Sequence, residues 1–185
     1  MDAITLLKAD HKAVKVLFTR FDKLGDGANA TKREVVDKII ESLSVHAAIE
    51  EQVFYPAVRE HTKELTDDVL EALEEHHVAK WILSELDGMS PTEERYDAKV
   101  TVLIESVKHH IQEEESGLFP QVRQAMGRKQ LLEIGDALER AKKLAPTRPH
   151  PRSPDVPPAN LIVGPAAGLA DRALSAVRKG RGGKR

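Results

Sequence analysis

No cysteine occurs among the 185 residues. Disulfides, thiolate zinc sites and iron–sulfur clusters are therefore excluded. Aromatic residues are scarce, at 4%, and few stretches alternate with period two, which argues against a large β-sheet. No charge of one sign dominates: the formal net charge of −2 gives no global pull toward nucleic acid or membrane. No apolar run approaches the length of a membrane span. The N-terminus lacks the basic-then-apolar order of a secretory signal. A cytoplasmic protein without a membrane partner is expected.

What the chain does have is helical patterning. Hydrophobic residues at 41% and charged residues at 31% fit a soluble helical protein with a real core. A first helix is predicted from about Asp2 to Leu24, with Ile4, Leu7, His11, Val14, Leu17, Phe18 and Phe21 on one face. Thr31 and Glu34 have the spacing of a capping box opening a second helix. Its inner face runs Val36, Ile39, Leu43, His46, Glu50 and Val53, and Pro56 is expected to kink or end it. A third helix covers about Thr66 to Asp87 with Val69, Leu73, His76, Ala79, Leu83 and Leu86 in phase. Ser90, Pro91 and Glu93 cap a fourth, whose inner face is Val100, Leu103, Val107, His110, Glu114 and Leu118. Short connections make successive helices antiparallel neighbours. The predicted fold is all-α: an up-down-up-down antiparallel four-helix bundle over residues 1–126, with additional C-terminal helices and an extended tail.

Residues 127–145 read as a further helix packed on the bundle, with Leu131, Ile134, Leu138 and Ala141 on one stripe. Residues 146–158 hold six prolines and are expected to be an extended, helix-free linker. A short amphipathic helix with Leu169, Ala173 and Val177 on one side should follow Pro165. The end, 178–185, carries five basic residues and three glycines and reads as a disordered, solvated tail. Without interleaved aromatics or a reader fold, it gives no nucleic-acid partner. The 146–185 arm is expected to cover the bundle or a mate in a homodimer.

The chemistry lies in a repeat. His46-Ala47-Ala48-Ile49-Glu50-Glu51-Gln52-Val53-Phe54-Tyr55-Pro56 returns as His110-Ile111-Gln112-Glu113-Glu114-Glu115-Ser116-Gly117-Leu118-Phe119-Pro120. In each, a His and the Glu four residues on share one helix face. Asp10-His11 with Lys15 aligns with Glu75-His76 with Lys80, so the bundle reads as two copies of one helical hairpin. Four histidines and two glutamates thus fall in core phase on four helices. Burying two glutamates without compensation is very costly, and a metal supplies the missing charge. The bland reading, a hydrogen-bonded core histidine, suits one such residue better than four.

Phase separates some candidates. His109 lies one step off the core stripe and belongs at the rim. The repeat favours His76 over His77, although His77 fits a face through Leu70 and Leu73. His61 and His150 are expected in solvent. Imidazole plus carboxylate suits iron, and also manganese or zinc. The ferritin-like pattern of two Glu-x-x-His motifs is not met, since only Glu74 and His77 have that spacing.

The order His, His-x3-Glu, His, His-x3-Glu over residues 1 to about 125 resembles the hemerythrin family, in its HHE cation-binding branch. The resemblance implies two iron ions, bridged by two carboxylates and an oxo or hydroxo group, that react with O2 or related small molecules. The ligands it implies are His11, His46, Glu50, His76, His110 and Glu114, with Glu50 and Glu114 bridging. One departure matters: the oxygen carriers have two histidines four apart on the third helix. Here Lys80 follows His76 and Trp81 follows His77 at that spacing. Of about twelve octahedral positions, about two then stay open, where the carrier leaves one. Tyr55, which stands where the other repeat has Phe119, is a candidate further ligand. On a straight helix it faces away from His46, unless Pro56 swings it inward. The competing reading is a packed amphipathic tyrosine.

Three functions follow as expectations. The first is a di-iron oxidoreductase, peroxidase- or catalase-like or nitric-oxide-converting, that acts on hydrogen peroxide, nitric oxide or nitrite, or O2 in oxidative or nitrosative stress defence. The second is an O2 or NO binding or sensing module without turnover. The third, iron storage, is weakened by a capacity of only two metals.

Overall fold

The structure is a computed structural model that describes residues 1–154, 157 and 159–182, without the side chains of 161, 162 and 175–182. It is all-helical, and no strand occurs among the described residues. The bundle is built from α1 (Ala3–Asp22), α2 (Asn29–Ile49) continued by α3 (Tyr55–His61), α4 (Thr66–Gly88), and α5 (Tyr96–Glu113) continued by α6 (Phe119–Ala125). α1 packs on α2, α4 on α5, α2 on α4 and α1 on α5, which closes the ring. α7 (Arg128–Lys142) lies across α1 and α2, and α8 (Ala159–Gly182) ends the described chain.

The helix starts differ in part from expectation. Asp2 caps α1 by accepting from the Thr5 N–H at 3.0 Å. The Thr31–Glu34 box does not form. α2 begins two residues earlier, behind Ala28, and its side chain has no acceptor to offer. The Glu93 carboxylate does reach back to the Ser90 N–H at 2.6 Å, but this closes a turn, and regular helix starts only at Tyr96.

The apolar core is cut in two. One cluster gathers Ile4, Leu7, Phe54, Tyr55, Val69, Leu73, Leu118 and Phe119. The other gathers Val14, Phe18, Ile39, Leu43, Leu83, Leu103 and Val107. Along each helix the sequence passes from one cluster to the other through buried polar residues: His11 on α1, His46 and Glu50 at the end of α2, His76 on α4, and His110 and Glu114 at the end of α5. A slab of imidazoles and carboxylates therefore crosses the bundle, with oil above and below it.

Pro56 is expected to kink or end its helix, but neither Pro56 nor Pro120 ends one. Each helix instead takes a π turn, Glu50–Phe54 and Glu114–Leu118. The Tyr55 N–H bonds the Glu50 carbonyl and the Phe119 N–H bonds the Glu114 carbonyl, both five residues back. The extra residue turns everything after it by about 100° relative to an α-helix. In this register the carbonyl of Glu51 would take its bond from residue 56, but proline has no N–H to give. The Asn160 Nδ2 donates to it instead, at 3.2 Å, from α8.

That bond explains how the C-terminal arm docks. α8 starts at Ala159, earlier than expected, and carries Pro165 inside it. Leu169, on the apolar side expected of this helix, is exposed. The docking face holds small and polar residues, because the helix comes too close for large ones. A Cβ on Gly164 would lie 2.3 Å from Gln52 Nε2, and one on Gly168 would lie 2.2 Å from the Leu144 carbonyl oxygen. Asp171 is buried and accepts from the N–H groups of Thr147 and Arg148 at 2.9 and 3.0 Å. His150, expected in solvent, is half-buried, with Nε2 3.2 Å from the same carboxylate. The described part of the linker is helix-free. Residues 178–182, expected to be disordered, continue α8, while the Val177 side chain and residues 183–185 lie outside the described residues.

Asn160→Ala should release the arm. A buried carbonyl left without its donor costs about 1–3 kcal/mol. The expected result is faster proteolytic nicking between residues 146 and 158, with the bundle's own melting little changed. Wild-type nicking rates would show that Asn160 does not hold the arm.

Candidate metal centre

The π turns end the two halves of the repeat and put their side chains on one level. His11 Nε2 lies 3.1 Å from His46 Nε2 and 3.2 Å from Glu114 Oε2. His46 Nε2 lies 3.1 Å from Glu50 Oε2. Across the axis, His76 Nε2 lies 3.2 Å from His110 Nε2 and 3.4 Å from Glu50 Oε2. Two groups with metal-ligand spacing result: His11, His46, Glu50 and Glu114, and Glu50, His76 and His110. Glu50 belongs to both. Glu114 reaches the second group as well, with Oε2 3.5 Å from His110 Nε2.

The hydrogen bonds around the histidines decide what these close approaches mean. His11 Nδ1 bonds Glu115 Oε1 at 2.9 Å, His76 Nδ1 bonds Glu51 Oε1 at 3.1 Å, and His110 Nδ1 bonds Glu75 Oε2 at 2.7 Å. His46 Nδ1 faces Asp10 Oδ2 at 3.9 Å, a charge contact rather than a hydrogen bond. A carboxylate only accepts, so these partners hold the imidazole proton on Nδ1. The Nε2 atoms of His11, His76 and His110 then each point a bare lone pair into the slab. Lone pairs of nitrogen and oxygen thus face one another at 3.1–3.5 Å. Among the described residues, no hydrogen bond reaches either oxygen of Glu50 or Oε2 of Glu114. Cations between these atoms would satisfy every one of them. The donor set of imidazole nitrogen and carboxylate oxygen fits iron, manganese or zinc.

Electrostatics agree except at His110, where the lowering effect of burial is outweighed by Glu114 and the Glu75 bond, which raise it. Burial, and then the Glu114 and Glu51 carboxylates, push Glu50 well above the ordinary carboxylate range. Burial works against ionisation of Glu114 too, but His110 and His11 hold it below that range. Burial pushes His46 down, and burial together with His110 pushes His76 well down, so both favour the neutral, metal-binding form.

Tyr55 is buried beside the second group, not turned away from it. Its hydroxyl donates to Glu114 Oε1 at 2.9 Å and lies 3.5 Å from His76 Nε2. The π turn carries it there, where a straight helix would not. Phe119 occupies the matching place in the other half and stacks on His11 at 5.7 Å, with the rings 10° apart. The duplication thus keeps an aromatic floor under each group, and only one floor has a hydroxyl. Burial, and then the Glu114 and Glu50 carboxylates, push the Tyr55 phenol well up.

The histidines left open by the sequence sort clearly. His76 is buried in the slab, whereas the half-buried His77 accepts from Trp81 Nε1 at 3.1 Å. His109 and His61 are exposed. Lys80, at the spacing of the absent second histidine, is buried and bonds both oxygens of Glu51 at 3.0 and 3.1 Å. Sequence reasoning missed the supporting ring of Asp10, Glu51, Glu75 and Glu115 with Lys15 and Lys80. The signal was present: the duplication preserves all of these residues in pairs. Lys142 of α7 has no such signal, yet it holds Asp10 at 2.5 and 2.7 Å.

A cavity of ≈ 250 Å³ is lined by all four histidines and by Asp10 and Glu75, with Val14, Leu43, Ala79, Leu83 and Val107 among its apolar walls. No helix among the described residues is long and apolar enough to cross a membrane.

Comparison with known proteins fits this geometry. An uncharacterized hemerythrin-like protein of Schizosaccharomyces pombe is 26% identical over 171 residues, covering 92% of this chain and 83% of that protein. A protein named DNA nickase from Nostoc sp. is 29% identical over 142 residues, covering 77% of this chain but 39% of the nickase. The crystal structure of a hemerythrin HHE cation binding domain-containing protein from Mycobacterium kansasii shares the fold, with a TM-score of 0.62 at 21% identity, over 77% of this chain and 88% of that one. The pattern of the hemerythrin HHE cation binding domain matches residues 2–122. The chain belongs to that family and is a cation-binding, hemerythrin-like protein.

Proposed function

We propose that the chain holds two iron ions and decomposes small oxidants, hydrogen peroxide first. One ion is assigned to His11, His46, Glu50 and Glu114. The other is assigned to His76, His110, Glu50 and Tyr55, with Glu114 in reach. When bound, an iron pair supplies two electrons to an oxidant and can take them back. The observation that carries the reading is the Tyr55 hydroxyl, 2.9 Å from Glu114 and 3.5 Å from His76, at a group that lacks the oxygen carriers' additional histidine. A phenolate ligand favours the ferric state and so works against reversible O2 carriage. Peroxide disproportionation balances without an external donor, as two peroxides give two waters and one O2. The apolar cavity over the histidines has room for so small a substrate and for little bulk water.

The chain's own residues have separable roles in this reading. Glu115, Glu51, Glu75 and Asp10 orient the imidazoles. Phe54 and Phe119 keep water from below. Tyr55 supplies the one ionisable floor. Aerobically purified protein is expected to contain two irons and to show an intense visible phenolate-to-iron band, lost in Tyr55→Phe. Peroxide consumption with O2 release should fall at least about a hundredfold in His110→Ala, a loss on the scale expected for the metal's immediate surroundings. A loaded wild type that consumes no peroxide would sink the proposal.

A second reading, a sensor of O2 or nitric oxide without turnover, is favoured by the Asn160 bond to the Glu51 carbonyl. It ties the arm to the turn that carries Glu50 and Tyr55. A ligand-dependent change in nicking near residues 146–160, without turnover, would select it.

A further inference from the structure

The repeat hides a second His-x3-Glu register. His109 and Glu113 stand one residue before His110 and Glu114, and so occupy the neighbouring, outer face of α5. His109 Nε2 lies 3.1 Å from Glu113 Oε1. Glu75 of α4 joins them, and all three offer ligand atoms within 4.8 Å of one another. Glu75 is also the carboxylate that holds His110 Nδ1 at 2.7 Å. The outer cluster and the inner site therefore share a residue.

A cleft of ≈ 300 Å³ is lined by Asp68, Glu71, Glu75 and Glu113, with His110 and Glu114 of the inner site also in its wall and His109 outside it. Asp68, Glu71 and Glu75 follow one face of α4 in steps of three and four, so the carboxylates form a descending stripe. Glu114 is buried, and no hydrogen bond among the described residues reaches its Oε2. Among the described residues, no lysine or arginine lines this cleft. The cavity on the Tyr55 side carries Arg59 and Lys63 beside Glu51 and Glu60, and the one over the histidines carries Lys80 and Lys142 beside Asp10, Glu41 and Glu75.

We propose that Glu75, His109 and Glu113 form a transit site for a divalent cation, and that the acidic cleft is the route by which metal enters the inner site. It rests on the reading of the slab as a two-metal site. A hydrated cation is drawn to the stripe and exchanges part of its water shell for the His109 and Glu113 atoms. It then passes over Glu75 to Glu114. The cleft has low-dielectric walls and charge of one sign, which concentrates the ion and raises its arrival rate by about 10–1,000-fold, with strong salt dependence. His109 and Glu113 are exposed and Glu75 is half-buried, so the cluster binds weakly and releases inward.

The test follows Co2+ uptake by full-length protein stripped of metal, using stopped-flow visible absorption. The double variant His109→Asn/Glu113→Gln removes the outer cluster and leaves every inner residue in place. Glu60→Gln makes a matched loss of charge on the Tyr55 side. In low salt, the double variant is expected to load at least tenfold more slowly than wild type, to reach the same final spectrum, and to lose most of the salt dependence. Glu60→Gln should load like wild type. Wild-type uptake in the double variant overturns the route, as does equal slowing in Glu60→Gln. The end point judges the inner site separately: fewer than two ions in the wild type would refute the two-metal reading, whatever the relative rates.

Discussion

Glu50→Gln is expected to lower bound metal from two ions per chain to one at most, and to make the metal-free protein more stable. Both results come from one feature: Glu50 is fully buried and belongs to both ligand groups. In the proposed two-metal reading, its carboxylate would be the charge that both ions share, and an amide could not replace it. Without metal, neither of its oxygens receives a hydrogen bond among the described residues. A neutral Gln could donate to Glu114 or to a bare Nε2. The metal-free variant should gain about 1–3 kcal/mol, the usual cost of an unsatisfied buried polar group. The gain should grow with pH. Burial and Glu114 raise Glu50 in the folded chain above its unfolded value near 4.5. The folded state therefore holds the proton longer, and wild-type metal-free stability falls as pH rises from that value through the folded one. The variant lacks this slope. Urea unfolding of both proteins with and without metal checks the crossing. A variant that is less stable in both states would show that Glu50 serves packing and not charge.

Lys80→Met and Lys15→Met are expected to differ several-fold, although the duplication makes them counterparts. Each lysine holds the carboxylate that orients a histidine: Lys80 through Glu51 to His76, and Lys15 through Glu115 to His11. Lys80 is buried with its partner, whereas the Lys15 side chain is 43% exposed. Removing one member of a buried ion pair costs about 3–5 kcal/mol, because the other charge keeps its desolvation penalty. Removing an exposed member costs about 1 kcal/mol or less. Lys80→Met should also weaken metal binding by about 10–100-fold through the loosened His76. Equal effects in unfolding titrations would contradict this account.

The burial that separates the two lysines is not legible in either hairpin alone. Both sit four residues after the histidine, and the arm that passes near Lys80 has no counterpart beside Lys15. Lys80 lines a small cavity with Pro149, His150 and Asn160. The face by which α8 docks departs from its apolar side for a related reason. Apolar periodicity points to Leu169, but close approach at Gly164 and Gly168 selects the small face, and Leu169 remains outside. Periodicity measures preference for oil over water, and helix contact at short range is decided by size and by carbonyls that need donors.

By itself the sequence determined the four amphipathic helices, the duplicated hairpin and the six His and Glu positions in core phase, because a 3.6-residue period converts spacing into a common face. It left His76 and His77 open, and it placed Tyr55 either outward or inward. The tertiary structure decided both. A π turn inserts one residue of phase after Glu50 and brings Tyr55 under His76. Packing then set the Nδ1 partners, and three hydrogen bonds direct the Nε2 lone pairs of His11, His76 and His110 into a slab where cations would satisfy them. Such bonds join residues up to 104 positions apart. No local pattern encodes them, because the distance between two helices exists only after the bundle has closed.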